Sequence, residues 1–543
     1  MRVFFKFAWL PYAAIAATAP LQEDYSTCGK SVATTNGPIV GHVSSKSTDV
    51  CEYLGIPYAL PPIGDLRFAP PKEFTRNQTY VANEYAIISE ANIEHQSPDC
   101  PQPSPRQVLY PDATPQELRI VANFANQANN HTQSEDCLTL NIWTKPSSRT
   151  DKPTLVFLHG GRYTGGTSNT PFYTGHRLAS AHDLIIATLN FRLNIFGFPG
   201  APSNPQNLGL LDQRRAVEWL RANVAAFGGS PDKITLVGQS SGSVAVDAWA
   251  FAFRGDDDDD DDDGGALVSG LVSHSGNVFS FPVNSGEVAA RGWYNVSARV
   301  GCGDGGDVMA CMRAVPWREI RDAASTVRGP PSGSIARSIP AFQATVDGVV
   351  IFGDYYERSR AGAFAPVPYL QGVNDYESGY YKIPTYGNGN ATAPEDIWRA
   401  FQLESFTCAS AVAAYHRARA GVPTWRWRYF GDWDNLRLYP GSGAYHGSEM
   451  NMVVGNSEEV SGLAPSVDQE SLTAETMRAY AAFAEDPAKG LNEIVEWPKY
   501  DADEPTLIRL GYENSPVPDF VFPGTYDEEC ASLGLSYWDP DLS

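Results

Sequence analysis

The sequence predicts an α/β fold built on a large, mostly parallel sheet. Three observations carry that reading. Four apolar runs of strand length, "LTLNIWT" (138–144), "PTLVFLH" (153–159), "LIIATLNF" (184–191) and "KITLVG" (233–238), are bounded by Pro, Gly and Asn. Between the third and fourth lies "NLGLLDQRRAVEWLRANVAAFGG", whose Leu210, Val217, Leu220, Val224 and Phe227 fall on one helical face before two glycines end it. The fourth run ends in the corner "GQSSG" and passes directly into the small-residue helix pattern "VAVDAWAFAF". Strands alternating with helices need crossover connections, and crossovers make parallel neighbours.

In chain order, "MRVFFKFAWLPYAAIAATAPLQ" sets Arg2 and Lys6 before an apolar stretch ending in small residues, the pattern of a secretory signal over residues 1–18. Residues 19–543 are then the mature, extracellular chain. "GPIVGHV" and "YLGIPYALPP" read as short strands with a proline-rich crossing. Residues 98–136, rich in Pro, Asn and Gln, read as a loop closed by Cys100 and Cys137. After the helix that follows the corner, "LVSGLVSHSG", "VPYLQGVN" and "TWRWRYF" extend the same sheet. The run Asp256–Asp263, in a loop near 255–265, is expected to be disordered and solvated; a flexible polyacid lacks the fixed geometry that calcium requires. "GCGDGG" (301–306) matches G-x-G-x-x-G but follows a helix-like stretch rather than the first strand of a βαβ unit. Beside Cys302 and Cys311 it reads as a disulfide-tied loop, not a dinucleotide site.

The 543 residues allow a large core, and length alone suggests two to four domains. A formal charge of −23 argues against nucleic acid and anionic membranes as partners, although eight of the charges belong to the Asp run. No run beyond the N-terminus approaches the roughly 18–20 apolar residues of a membrane span. Eight cysteines with no C-x-x-C, behind a secretory signal, favour disulfides over a metal site. Sequons at Asn77, Asn130, Asn295 and Asn390 permit N-glycosylation.

The corner carries the chemistry. G-x-S-x-G fits one register only, Gly238–Ser240–Gly242, because Ser241 would be flanked by Gln239 and Ser243. A serine on a sharp strand-to-helix turn needs small neighbours on both sides. Ser240 is therefore the candidate nucleophile, and Ser241 offers its backbone N–H. A hydroxyl attacks only when a base takes its proton. In the order that goes with this motif the base comes last, after the acid, which leaves His416 and His446. His416, in the helix-like "ASAVAAYHRARA", reads as a surface histidine. His446, in the glycine-rich "YPGSGAYHGSEM" after the strand "TWRWRYF", is the candidate base. Two acids, Asp375 and Glu377 in "LQGVNDYESGYY", lie between nucleophile and base, and the residues alone leave both open. Upstream, "VFLHGGRYTGG" supplies His159–Gly160–Gly161, a glycine-rich loop able to hold N–H groups toward an oxyanion.

These segments resemble the type-B carboxylesterase family of cholinesterases, fungal secreted lipases and, most nearly, fungal secreted carboxylesterases. The resemblance spans nearly the whole mature chain through "YLGIPYALPPIGDLRF", "SEDCLTLNIWTKP", "LHGG", "NFRLNIFGF", "NLGLLDQRRAVEWLRANVAAFGGSPDKITLVGQSSG" and "GAYHGSE", in family order. It implies one α/β-hydrolase domain with loop insertions instead of several domains. It implies Ser240, Glu377 and His446 as the catalytic residues, with Glu377 chosen over Asp375 by the pattern G-x-x-x-x-E counted from Gly372. The implied oxyanion donors are the N–H groups of Gly161, Arg162 and Ser241. Arg162 departs from the family's usual third glycine, and Gln239 stands where many members have Glu. Glu449 resembles a supporting carboxylate bonded to Ser275. The resemblance also implies the pairs Cys100–Cys137 and Cys302–Cys311, which leaves Cys28–Cys51 and Cys408–Cys530.

The resulting expectation is a secreted serine hydrolase of small-molecule or lipid carboxylic esters that needs no metal or organic cofactor. Two rivals are a lipase acting on long-chain acylglycerols and a non-catalytic adhesion protein on the same fold. A lipase needs a broad apolar face under a lid, which the Pro/Asn/Gln-rich loop after Cys100 does not suggest; adhesion relatives lose a catalytic residue that this chain keeps. Substrate identity and oligomeric state are not readable from these residues.

Overall fold

A computed structural model describes residues 28–74, 80–81, 97–104, 107–124, 132–254, 266–331, 339–389 and 393–542. The expected signal over 1–18, the Asp run and the sequons Asn77, Asn130 and Asn390 lie outside the described residues. Asn295 is exposed on the helix Gly286–Arg299.

Among the described residues, β1 (Ser31–Thr34), β2 (Gly37–Val40) and β5 (Tyr80–Val81) form a small sheet. Eleven strands form the large one: β3 (His42–Val43), β4 (Cys51–Pro57), β6 (Thr139–Thr144), β7 (Lys152–Leu158), β8 (Ile185–Leu189), β9 (Gly229–Gln239), β10 (Gly270–His274), β11 (Tyr369–Asn374), β12 (Thr424–Tyr429), β13 (Leu507–Leu510) and β14 (Asp519–Val521). Their spatial order is β14-β13-β12-β11-β10-β9-β7-β8-β6-β4-β3. The block from β8 through β7 and β9 to β13 is parallel, with antiparallel strands added at both ends. Every residue of β7, β8, β10, β11 and β12 is buried, as expected for strands whose two faces are both covered.

The chain leaves β7 for β8 on one side and then returns to place β9 on the other. At such a reversal the connections after neighbouring strands diverge, opening a crevice at their carboxyl ends. The loops after β7 and β9 therefore share one pocketed rim, although their residues lie far apart in sequence.

Among the described helices are α1 (Glu117–Phe124), α2 (Leu208–Asn223), α3 (Ser241–Ala252), α4 (Ser378–Gly387), α5 (Cys408–Arg419) and α6 (Val467–Glu485), of which α2, α3, α5 and α6 pack on the sheet. The expected face of α2 is buried through Leu210, Val217 and Leu220, each worth about 2 kcal/mol when removed from water. Arg192, beyond β8, grips Asp212 of α2 through two hydrogen bonds of 2.8 and 2.7 Å. Helix α3 is buried along its whole length, and its Asp247 pairs with Arg417 of α5. That pair anchors the helix that starts at the serine corner.

The four expected disulfides are formed: Cys28–Cys51, Cys100–Cys137, Cys302–Cys311 and Cys408–Cys530. The loop closed by Cys100–Cys137 is not wholly irregular, because Ile120 and Val121 bury the inner face of α1. His416 corrects an expectation. It does lie on a helix, but it is 3% exposed and sits 3.7 Å from Asp539 of the C-terminal segment. The Cys408–Cys530 bond draws that segment across α5, so the side that the flanking arginines mark as surface is covered.

Candidate active site

The geometry starts at Ser240. It ends β9 with φ 58° and ψ −122°, a strained backbone for a residue with a side chain, and α3 begins at the next residue. Its N–H donates to the His274 carbonyl oxygen at 2.8 Å, and its carbonyl accepts from Val244 at 3.0 Å. The flanking glycines are required by space. A methyl group at Gly238 would stand 2.2 Å from the Gly242 carbonyl oxygen, and one at Gly242 would stand 2.2 Å from the Leu158 oxygen. The corner thus packs backbone against backbone, against the end of β7.

The loop after β7 meets this corner. A Cβ on Gly160 would come within 2.8 Å of the Ser240 Cβ, so glycine is what lets the loop approach the hydroxyl. Arg162 and Tyr163 both take left-handed backbone, at φ 56° and 59°. The Tyr163 N–H donates to Ser241 Oγ at 3.4 Å, tying the loop to α3. His159 stacks on Phe191, with ring centres 4.5 Å apart, and its Nδ1–H donates to the Gly160 carbonyl at 2.8 Å. Burial lowers its pKa to about 4, so it is a neutral structural strut near neutral pH.

Glu377 and His446 meet across 69 residues of sequence. Glu377 follows β11, and one carboxylate oxygen lies 2.6 Å from His446 Nδ1. Its other oxygen accepts the Asn374 N–H at 2.7 Å. Gln402 braces the turn from both sides, accepting from the Glu377 N–H at 2.8 Å and donating to the Asn374 carbonyl at 3.0 Å. Because a carboxylate only accepts, Nδ1 carries the hydrogen, and the lone pair of the neutral ring is at Nε2. Asp375, the alternative acid, instead pairs with Arg428 at 2.8 Å.

Around Nε2 the structure holds more than the sequence suggests. The Tyr381 hydroxyl and the Gln239 amide nitrogen each lie 3.2 Å from it, and the Ser240 side chain is within hydrogen-bonding reach of Tyr381. No direct Ser240–His446 hydrogen bond is present among the described residues; the Tyr381 phenol and the Gln239 amide occupy the space at Nε2 instead. Burial pushes the Tyr381 phenol well above its ordinary range, so it stays protonated and able to donate. Tyr381 was not among the expected site residues, and its one signal is its place four residues after Glu377, one helical turn along α4.

The expected Glu449–Ser275 bond is not formed. Asn374 Nδ2 donates to one Glu449 oxygen, and the other faces His274 Nδ1 at 3.3 Å. The Ser275 hydroxyl is buried with no hydrogen-bond partner among the described residues. His274, on the strand just before Ser275, stands where that carboxylate oxygen points, close to it but without a hydrogen bond among the described residues.

A model of the carboxylesterase family matches residues 29–398. The chain belongs to the carboxylesterase family. Relatives support the assignment across almost the whole length: the chlorogenic acid esterase of Aspergillus niger is 30% identical over 541 residues, spanning 95% of this chain and 96% of that one. Secreted lipase 5 of Gibberella zeae is 29% identical over 548 residues, spanning 95% and 97%. A solved PNB esterase structure overlays with a TM-score of 0.71 at 23% identity, covering 93% of this chain and all of the other, and shows the α/β-hydrolase fold. This carboxylesterase is accordingly a carboxylic ester hydrolase with small-molecule ester substrates. No helix among the described residues is long and apolar enough to cross a membrane.

Proposed function

We propose that this carboxylesterase is a secreted serine esterase working through an acyl-enzyme, with Ser240, His446 and Glu377 as its catalytic residues. The observation that carries the reading is the buried Glu377–His446 pair at 2.6 Å, whose other ring nitrogen lies 3.2 Å from the side chain of Gln239, the residue before Ser240 at the strained corner. Ser240 attacks the ester carbonyl as Nε2 takes its proton, and Glu377 stabilises the imidazolium. Reaching the hydroxyl requires Nε2 to exchange its Tyr381 and Gln239 contacts for Ser240; such bonds often tighten only with substrate bound. The N–H groups of Gly161, Arg162 and Ser241 receive the developing negative charge, with the start of α3 adding its dipole. His446 then protonates the departing alcohol, and water repeats the sequence on the acyl-enzyme.

Residues 19–543 are proposed as one mature domain behind a secretory signal over 1–18, in keeping with four disulfides and a relative named as secreted. Asn295, exposed on its helix, is open to glycosylation. The test is Ser240→Ala. The variant is expected to keep its melting temperature and to lose nitrophenol release from short-chain nitrophenyl esters by at least about a thousandfold; near-normal turnover would remove Ser240 from the mechanism. A lipase reading has one support, the likeness to a secreted lipase, and hydrolysis of a triglyceride emulsion in preference to soluble esters would establish it.

A further inference from the structure

Two cavities flank Ser240 and share no lining residue among those described. The larger, about 270 Å³, is bordered by Gly160, Gln239, Phe124 and Tyr380. Phe124 and Tyr380 also face the His446 ring, with centres 6.3 and 6.4 Å away. The smaller, about 30 Å³, is bordered by Ser240, Ser241, Arg162, Val244, Phe281 and Pro340. The alcohol half of an ester must leave from the side where the imidazole can protonate it. That places the alcohol toward the larger cavity and the acyl group in the smaller one, an assignment that rests on the proposed roles of Ser240 and His446.

Arg162 dominates the acyl side. From its left-handed backbone the side chain runs along the cavity wall, with its guanidinium carbon 5.5 Å from the Phe281 ring centre and 5.8 Å from that of Tyr381. Both rings attract the cation, and more strongly where water is scarce. Space of about 30 Å³ holds only one or two water-sized groups. Away from the serines, Tyr163 and Gln343, the remaining lining is apolar, with Val244, Val283, Ile339 and Ala344 beside Phe281. A longer acyl chain would find compatible walls there, but it would first have to push a cation off two aromatic faces.

We propose that Arg162 caps the acyl cavity and restricts this esterase to short acyl groups of about two to three carbons. The side chain acts by occupying the room that a longer chain needs, while its N–H remains in the loop whichever side chain is attached.

Arg162→Gly tests this, because glycine adopts the φ of 56° at this position without strain and the variant keeps the backbone N–H. The readout is the ratio of kcat/KM for nitrophenyl octanoate to that for nitrophenyl acetate, in which any shared change at the oxyanion loop cancels. Wild type is expected to favour acetate by tenfold or more. In the variant the ratio should rise by at least tenfold, since each methylene that finds an apolar wall is worth about a factor of four. Parallel chain-length profiles in the two proteins would overturn the proposal, as would a wild type that prefers octanoate, which needs no variant to observe. Absence of hydrolysis of any ester by wild type, or full turnover by Ser240→Ala, would instead overturn the underlying serine-esterase reading.

Discussion

The Tyr381 hydroxyl lies 3.2 Å from the ring nitrogen that the proposed mechanism uses to accept the serine proton, and within reach of that serine. Tyr381→Phe removes one hydrogen bond from the pair and leaves the ring that packs 4.9 Å from the imidazole. That bond must break before Nε2 can take the serine proton, so losing its roughly 1 kcal/mol of ground-state stabilisation should raise kcat about fivefold with KM within twofold and an unchanged melting temperature. An unaltered kcat would make the phenol a packing residue. At this scale the site was legible in proportion to its steric demands. Gly160, Gly238 and Gly242 each face backbone or side-chain atoms within 3 Å of where a Cβ would sit, so glycine had to appear and mark the corner. Glu377 accepts from the Asn374 N–H, donates its own N–H to Gln402 and holds His446, polar contacts that leave no spacing signature; the family resemblance was needed to select Glu377 over Asp375. The Glu449–Ser275 expectation failed for the same reason, since the hydrogen bond that Glu449 accepts comes from Asn374, a choice the spacing does not mark.

Helix α1 shows an element whose existence was not read in advance and whose stability should depend on pH. Its first residue, Glu117, is fully buried, and neither carboxyl oxygen has a hydrogen-bond partner among the described residues. Burial raises its pKa to about 7 from the ordinary value near 4.5. Between those values the folded chain holds a proton that the unfolded chain has released, so stability falls as pH rises from about 4.5 to 7. Glu117→Gln keeps the shape and removes the ionisation. The variant should melt several degrees higher than wild type at pH 8 and at the same temperature at pH 4.5, by calorimetry; equal melting at both would mean that the carboxylate finds solvation when ionised. The longer elements were easier to read. Strands β6, β7 and β8 are buried throughout and the second half of β9 with them, and their apolar runs mark them, whereas β13 and β14 are short, and Asp519 and Phe520 of β14 are exposed, so they carry little pattern. Helix α5 was legible as a helix, but its exposure depended on a disulfide partner 122 residues away.

For the molecule as a whole, two buried histidines, His159 and His416, set an acid limit. Burial holds each at about 4, below the ordinary 6.5. As pH falls from 6.5 toward 4 the unfolded chain takes up protons that the folded chain refuses, so stability is lost through that window and is intact above it. The loss is on the order of 3 kcal/mol for each site. Wild type should therefore melt at progressively lower temperature from pH 6.5 to 4.5, and His416→Gln should flatten that slope; an identical slope in the variant would exclude His416 as its source. The order of the sheet's strands was not legible, because register and neighbour choice are decided by packing between segments hundreds of residues apart. The site survived that ignorance because the reversal at β7 brings its loops together from any distance along the chain. The two cavities on either side of Ser240 have a consequence of their own. Both border the loop after β7 and the serine corner, yet they share no lining residue, so a lineage can exchange the alcohols it accepts through Phe124 or Tyr380 while its taste in acids stays as it was.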